Sequence, residues 1–125
     1  MTKNPLSHKQ KLGKAGEDLA VKYLSKNDYL VIERNFKARY GEIDIICKKN
    51  DVLIFVEVKA RIGDQFGKPE ESITPWKLKE VIKTSEFYIS LHPEFTGSAR
   101  IDVIGIELAA DYTLKYFNHI ENVTG

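Results

Sequence analysis

The chain is short of the residues that anchor several common protein classes. It has one cysteine, Cys47, in 125 residues, so no intrachain disulfide can form and a cysteine-only zinc site is excluded. Its three histidines, His8, His92 and His119, are scattered without metal-ligand spacing. No apolar run approaches the roughly 20 residues of a membrane span, and the N-terminus lacks an apolar signal core. The expectation is therefore a cytoplasmic protein with no membrane partner. Net charge is also nearly absent, at +1 from 19 Lys and Arg against 18 Asp and Glu. That balance argues against a strongly basic histone-like binder and against an acidic chaperone-like protein. No internal repeat and no low-complexity tract interrupts the chain.

What is present suffices for one core. Apolar residues make up 42% of the chain, which at this length fits a single domain. The cancelling charges are unevenly placed: residues 1–61 hold 13 Lys and Arg against 8 Asp and Glu, whereas residues 62–125 hold 6 against 10. A basic half suits an anionic polymer, although a solvated surface produces the same pattern.

Periodicity divides the chain into elements. Residues 1–8 read as a disordered tail, 9–121 as one domain and 122–125 as a C-terminal tail. Leu12, Ala15, Leu19, Ala20, Tyr23 and Leu24 recur at helical spacing within Lys9–Lys26, where Gly13 and Gly16 permit a close neighbour. Strands are expected over Tyr29–Phe36, Glu42–Cys47, Val52–Ala60, Arg100–Ile106 and Thr113–Ile120. Thr74 and Pro75 open a second helix as N-cap and first helical residue, with Leu78, Val81, Ile82, Ser85 and Ile89 inward. The order α-β-β-β-α-β-β implies an α/β fold with a mixed sheet of about five strands flanked by helices. The connection through the second helix predicts a parallel crossover.

The stretch Tyr40–Arg61, YGEIDIICKKNDVLIFVEVKAR, puts charges into two otherwise apolar strands. A hairpin centred on Asn50-Asp51 sets Asp44 opposite Glu57 and Glu42 opposite Lys59. Strict alternation then places Glu42, Asp44, Ile46, Phe55, Glu57 and Lys59 on one face, and Ile43, Ile45, Cys47, Ile54, Val56 and Val58 on the other. Two readings stand side by side. Charged alternation is the ordinary pattern of a solvent-facing sheet, with Glu42–Lys59 as a cross-strand ion pair. Alternatively, the repelling pair Asp44 and Glu57 ligates a divalent ion, Mg²⁺ or Mn²⁺, with the Val58 backbone carbonyl as a further ligand. Lys59 then orients a water or stabilises charge on a phosphate.

GEIDII followed by IFVEVKAR resembles the D-(x)n-ExK core of restriction-endonuclease-like nucleases. The ordered set GKAGEDLAVKYL, RNFKARYGEIDII, FVEVKAR, GKPEESITPWK and RIDVIGI resembles the YraN family of small bacterial proteins predicted to be nucleases. The resemblance covers residues 11–107. Ile43 stands where the wider superfamily often has proline. The family is similar to archaeal Holliday-junction resolvases, which carry a further acid on the first helix, and Glu17 occupies the corresponding place. The resemblance implies a restriction-endonuclease-like core and a metal-dependent nuclease with Glu17, Asp44, Glu57 and Lys59 as its catalytic set, but no substrate; DNA of unusual structure, such as branches, is the leading expectation.

Arg34, Lys37, Arg39, Arg61 and Lys77 flank the site in sequence and are expected as phosphate contacts. Asn35 is expected to shape the turn into the site, and the loop carrying Gln65 to cover it. Trp76 is expected to pack against the sheet edge, with base stacking as the alternative. Asp102 is expected to pair with Arg100 or a helix cation, and Cys47 to be an inert core thiol. DNA is expected over RNA as partner, and a twofold dimer suits a junction cutter. The alternatives are a non-catalytic nucleic-acid-binding module that keeps the fold, and a protein-interaction domain.

Overall fold

The computed structural model describes residues 5–125. Helix α1, His8–Lys26, opens at Ser7, whose hydroxyl accepts the Gln10 N–H while the Gln10 side chain accepts the Ser7 N–H. This reciprocal capping satisfies two otherwise orphaned donors and draws Ser7 and His8 into ordered structure. Residues 1–4 of the expected tail lie outside the described residues. Strands β1 (Leu30–Ala38), β2 (Gly41–Lys49) and β3 (Val52–Ile62) follow, then a 3-10 turn at Pro69–Ser72, helix α2 (Pro75–Ser90), and strands β4 (Ser98–Leu108) and β5 (Leu114–Ile120). Among the described residues these strands form one five-stranded sheet in the order β1-β2-β3-β4-β5. β3 and β4 run parallel across the α2 crossover, while the remaining neighbours are antiparallel. The α/β class and the mixed sheet are thus as the periodicity predicts.

The helices cover opposite faces of the sheet. Ala20 and Leu24 of α1 close over Ile45, Cys47, Ile54, Val56, Ile104, Ile106 and Leu108. Val81 and Tyr88 of α2 close over Ile43, Ile46, Leu53, Phe55 and Ile101. Burial on both faces explains why β3 reads as a nearly unbroken apolar run. At Gly16 α1 lies close against the sheet, because a Cβ there would lie 2.6 Å from the Ala60 Cβ. Gly13, one turn earlier, has nothing within 4 Å of the same position, and the surface opens beside it. Cys47 is fully buried, and burial first of all pushes its thiol up to about 12. No helix among the described residues is long and apolar enough to cross a membrane.

Three details depart from the sequence expectation. Ile43 belongs to the α2-side core, whereas strict alternation places it with Ile45 beneath α1. On α2 the expected Val81 and Ser85 are buried and the expected Ile82 and Ile89 pack half-buried on the same core, but Thr84 and Tyr88 join the buried stripe, because Tyr88 packs edge-on against both Phe36 and Phe55. Trp76 is 72% exposed and not packed on the sheet edge. It precedes Val81 by five residues, which turns it about 140° around the helix from the buried face.

Candidate functional site

The break in alternation at Ile43 builds the site. Cα pairing between β2 and β3 follows the predicted hairpin register from Lys49↔Val52 to Ile45↔Val56 and extends no further. Beyond that point Asp44 Oδ2 accepts the Val58 N–H at 2.8 Å, so a side chain takes a donor that a neighbouring strand would otherwise use. The ladder opposition of Asp44 and Glu57 expected from the register is therefore corrected: the strands separate just before they reach it. Their separation opens a groove of about 750 Å³ on the α1 side, lined among others by Gly13, Glu17, Arg34, Asn35, Asp44 and Val58.

The opposite wall of the groove is set by β1. Arg34 pairs with Ile45 and Phe36 with Ile43, so Asn35 stands at the level of Asp44. Asn35 has φ of +53°, a left-handed conformation that asparagine tolerates better than most residues. Its Nδ2 donates to Glu17 Oε1 at 3.1 Å, and Arg34 Nε donates to the same oxygen at 2.8 Å. Arg34 Nη2 also donates to Asp18 at 2.7 Å. Glu17 is only 8% exposed, held at the groove by two neighbouring residues of β1.

Glu57 is the least compensated charge. It is 6% exposed, and its Oε1 is buried with no hydrogen-bond partner among the described residues. Its Oε2 has the Lys77 Nζ at 3.9 Å, a loose contact to a half-buried lysine. Burial foremost, then the charge of Asp44, pushes the Glu57 carboxyl up to about 8. Burial also leads for Asp44, opposed by the Val58 N–H and reinforced by Glu17, and raises it to about 6. Two carboxylates are thus withdrawn from water beside each other with one partial counter-ion. Among the described residues no group of three or more His, Cys, Asp or Glu side chains is arranged to hold a metal ion.

The remaining expected residues are spread along this end of the sheet. Lys37 and Glu42 also line the groove. Lys59 is exposed, lies opposite Gly105 of β4 and makes no ion pair among the described residues. Arg61 Nη1 donates to the Phe66 carbonyl at 3.2 Å, tying down the loop that carries exposed Gln65. Arg39 lies over the Tyr40 ring, 6.0 Å from its centroid. Asp102, fully buried, pairs with Arg100 as expected.

Glu70 is a carboxylate that sequence reasoning passed over. Its Oε2 accepts from Tyr116 and from Asn118 Nδ2, the latter at 2.8 Å, while its Oε1 is buried with no partner among the described residues. The side chain lies on Gly105, where a Cβ would come within 2.3 Å of Oε1. The signal was the glycine in RIDVIGI, which marks a close approach inside a strand.

An uncharacterised protein family, UPF0102, matches residues 16–106, a span that contains Glu17, Arg34, Asn35, Asp44, Glu57, Lys59 and Glu70. The chain is 44% identical over 113 residues to a UPF0102 protein of Syntrophomonas wolfei, covering 90% of this chain and 96% of that one. It is 45% identical over 111 residues to one of Clostridium beijerinckii, covering 89% and 90%. A UPF0102 protein of Persephonella marina is 44% identical over 94 residues, covering 75% and 81%. With the family matched from α1 into β4 and close relatives aligned over most of their length, the chain belongs to the uncharacterised protein family UPF0102.

Proposed function

We propose that the chain is a divalent-metal-dependent nuclease that hydrolyses phosphodiester bonds in branched DNA. The observation that carries this reading is Glu57 Oε1, a buried carboxylate oxygen without a partner among the described residues, beside a second desolvated carboxylate. Such a pair is costly unless a cation joins it. The donor set fits Mg²⁺ or Mn²⁺, because Mg²⁺ is commonly held by one or two carboxylates and keeps several waters. Asp44 and Glu57 would hold the ion, with the Val58 carbonyl as a third ligand. Bound there, it supplies Lewis acidity toward the phosphodiester and lowers the pKa of a water. Lys59, exposed and with no ion pair among the described residues, is the cation we assign to the charge developing on the phosphate. Glu17, fixed by Arg34 and Asn35, keeps a carboxylate at the groove wall to position water. Lys37 supplies a cation to the backbone at the groove, and Arg34, although engaged with Glu17 and Asp18, adds a second.

The recognition we assign to this domain is of backbone and shape. A twofold dimer would present two such sites to the two strands of a junction, and the compartment we assign is the cytoplasm. The test is cleavage of a branched duplex by the purified protein with Mg²⁺ or Mn²⁺, paired with direct titration of Mn²⁺. Asp44→Ala and Glu57→Ala should lose both metal binding and cutting while remaining folded. Lys59→Ala should keep the metal and lose about 10²–10³-fold in turnover. Wild-type cutting by the folded Asp44→Ala, Glu57→Ala double variant would overturn the assignment.

A further inference from the structure

The outward face of α2 carries a feature that the cleavage chemistry does not use. Trp76 is 72% exposed and Tyr40, in the β1–β2 turn, is 50% exposed. An exposed tryptophan ring forgoes a large apolar burial and calls for a reason. A cavity of about 340 Å³ runs along this face, lined by Trp76, Lys79, Glu80, Ile82, Lys83 and Glu86. Trp76, Lys79 and Lys83 recur at helical spacing opposite the buried stripe. At its far end Lys83 Nζ comes within 5.8 Å of the Tyr40 ring centroid, and Arg39 lies 6.0 Å from the same centroid. At its near end Trp76 adjoins Lys77, whose Nζ is 3.9 Å from Glu57 Oε2. The first turn of α2, which carries Trp76, is thus the turn whose lysine reaches Glu57.

Its dimensions and charge select an occupant. Seven residues of helix separate Trp76 from Lys83, about 10 Å, which is the length of about three stacked nucleotides. Lys79 and Lys83 balance Glu80 and Glu86 in its lining, and Arg39, over the same Tyr40 ring as Lys83, adds a cation at the far end. Aromatic faces spaced among cations suit unpaired bases joined by phosphates, since every base offers a π-face and stacks without regard to sequence. A base within a duplex has both faces covered and cannot use the ring. The ring is also firmly presented: Thr74 caps the helix by accepting the Lys77 N–H at 3.1 Å, with Pro75 fixing the first turn.

We propose that this face of α2 is a stacking subsite for a short unpaired strand, with Trp76 taking the base nearest the carboxylates and Lys79, Lys83 and Arg39 taking its phosphates. The proposal rests on the nucleic-acid reading above and sharpens it: the substrate carries single-stranded nucleotides next to the cut. Trp76 is the chain's one tryptophan, so emission excited at the red edge of the tryptophan band, where tyrosine does not absorb, reports this position alone. The experiment titrates the metal-free full chain with a short oligothymidylate and with a blunt duplex of equal length, at low and raised salt. The single strand should quench Trp76 saturably, with affinity falling as salt rises. The duplex should bind without comparable quenching. Trp76→Ala, at an exposed position that leaves the core intact, should weaken single-strand binding about tenfold or more, and Trp76→Phe should restore most of it. Equal quenching by duplex, or unchanged affinity in Trp76→Ala, overturns the subsite and leaves the nuclease reading standing. Emission that follows protein concentration alone and tracks dimerisation puts a second copy on this face and also overturns it. Binding of neither nucleic acid at low salt overturns both readings.

Discussion

At the scale of single residues, the site is a matter of charges kept from water. Glu57 has its folded pKa raised from 4.5 to about 8, by burial first and then by Asp44, with Lys77 opposing and Glu42 adding to the repulsion. A carboxyl shifted upward binds its proton more tightly when folded, so its stabilising contribution is full below 4.5 and is lost as pH rises through about 8. In the absence of divalent ions, Glu57→Gln should match the wild type near pH 5 and exceed it above pH 8 by a few kcal/mol. Chemical denaturation across this range in chelator checks it, and a difference that stays flat with pH would mean that Glu57 is already compensated. The identities of Asp44 and Glu57 were legible because alternating charge in apolar strands is conspicuous. The fate of Trp76 was not, because first-turn residues can face any way until the buried stripe is fixed, and Tyr88 fixed it.

At the scale of elements, the hairpin register was readable to Ile45↔Val56 and failed beyond it. Period-two alternation assumes an unbroken ladder, and Asp44 breaks the ladder by taking the Val58 N–H itself. A side chain replacing a main-chain partner leaves no periodic trace. The glycines of α1 were legible as a close approach, but not which of them makes it. Their geometry gives opposite signs to one substitution. Gly16→Ala drives a methyl toward the Ala60 Cβ at 2.6 Å and should cost about 1–3 kcal/mol as α1 is pushed off β3. Gly13→Ala meets nothing within 4 Å and should add about 0.5–1 kcal/mol from helix propensity alone. Urea midpoints of the two variants should move in opposite directions. Equal stabilisation would show that α1 does not seat against β3 through Gly16.

At the scale of the whole molecule, the helices and the parallel crossover followed from periodicity, whereas the closure of the C-terminal end did not. Asp102 Oδ1 accepts from Arg100 Nε at 3.0 Å and from the Asn122 N–H at 2.9 Å, and Oδ2 lies 2.8 Å from His119 Nε2. His119 Nδ1 meets Tyr23 Oη of α1 at 3.0 Å, and Arg100 Nη2 donates to Tyr29 Oη at 3.2 Å. One fully buried carboxylate thus joins α1, the start of β1, β4 and the residues after β5. Its partners lie up to 20 residues from it along the chain, which sequence spacing could not reveal beyond the neighbouring Arg100. Burial alone would raise the Asp102 pKa, but the bonds from His119, Arg100 and Asn122 prevail and hold it below 3.8. A lowered carboxyl contributes stability that is present above its unfolded value and is lost as pH falls through the folded one. Asp102→Asn leaves Arg100 facing a neutral group and should cost about 3 kcal/mol at neutral pH. The difference from the wild type should shrink as both are taken into acid below 3.8. Paired denaturant melts at neutral and acid pH measure it. A loss of the same size at both would show that Asp102 acts by shape and hydrogen bonding, and not by its charge.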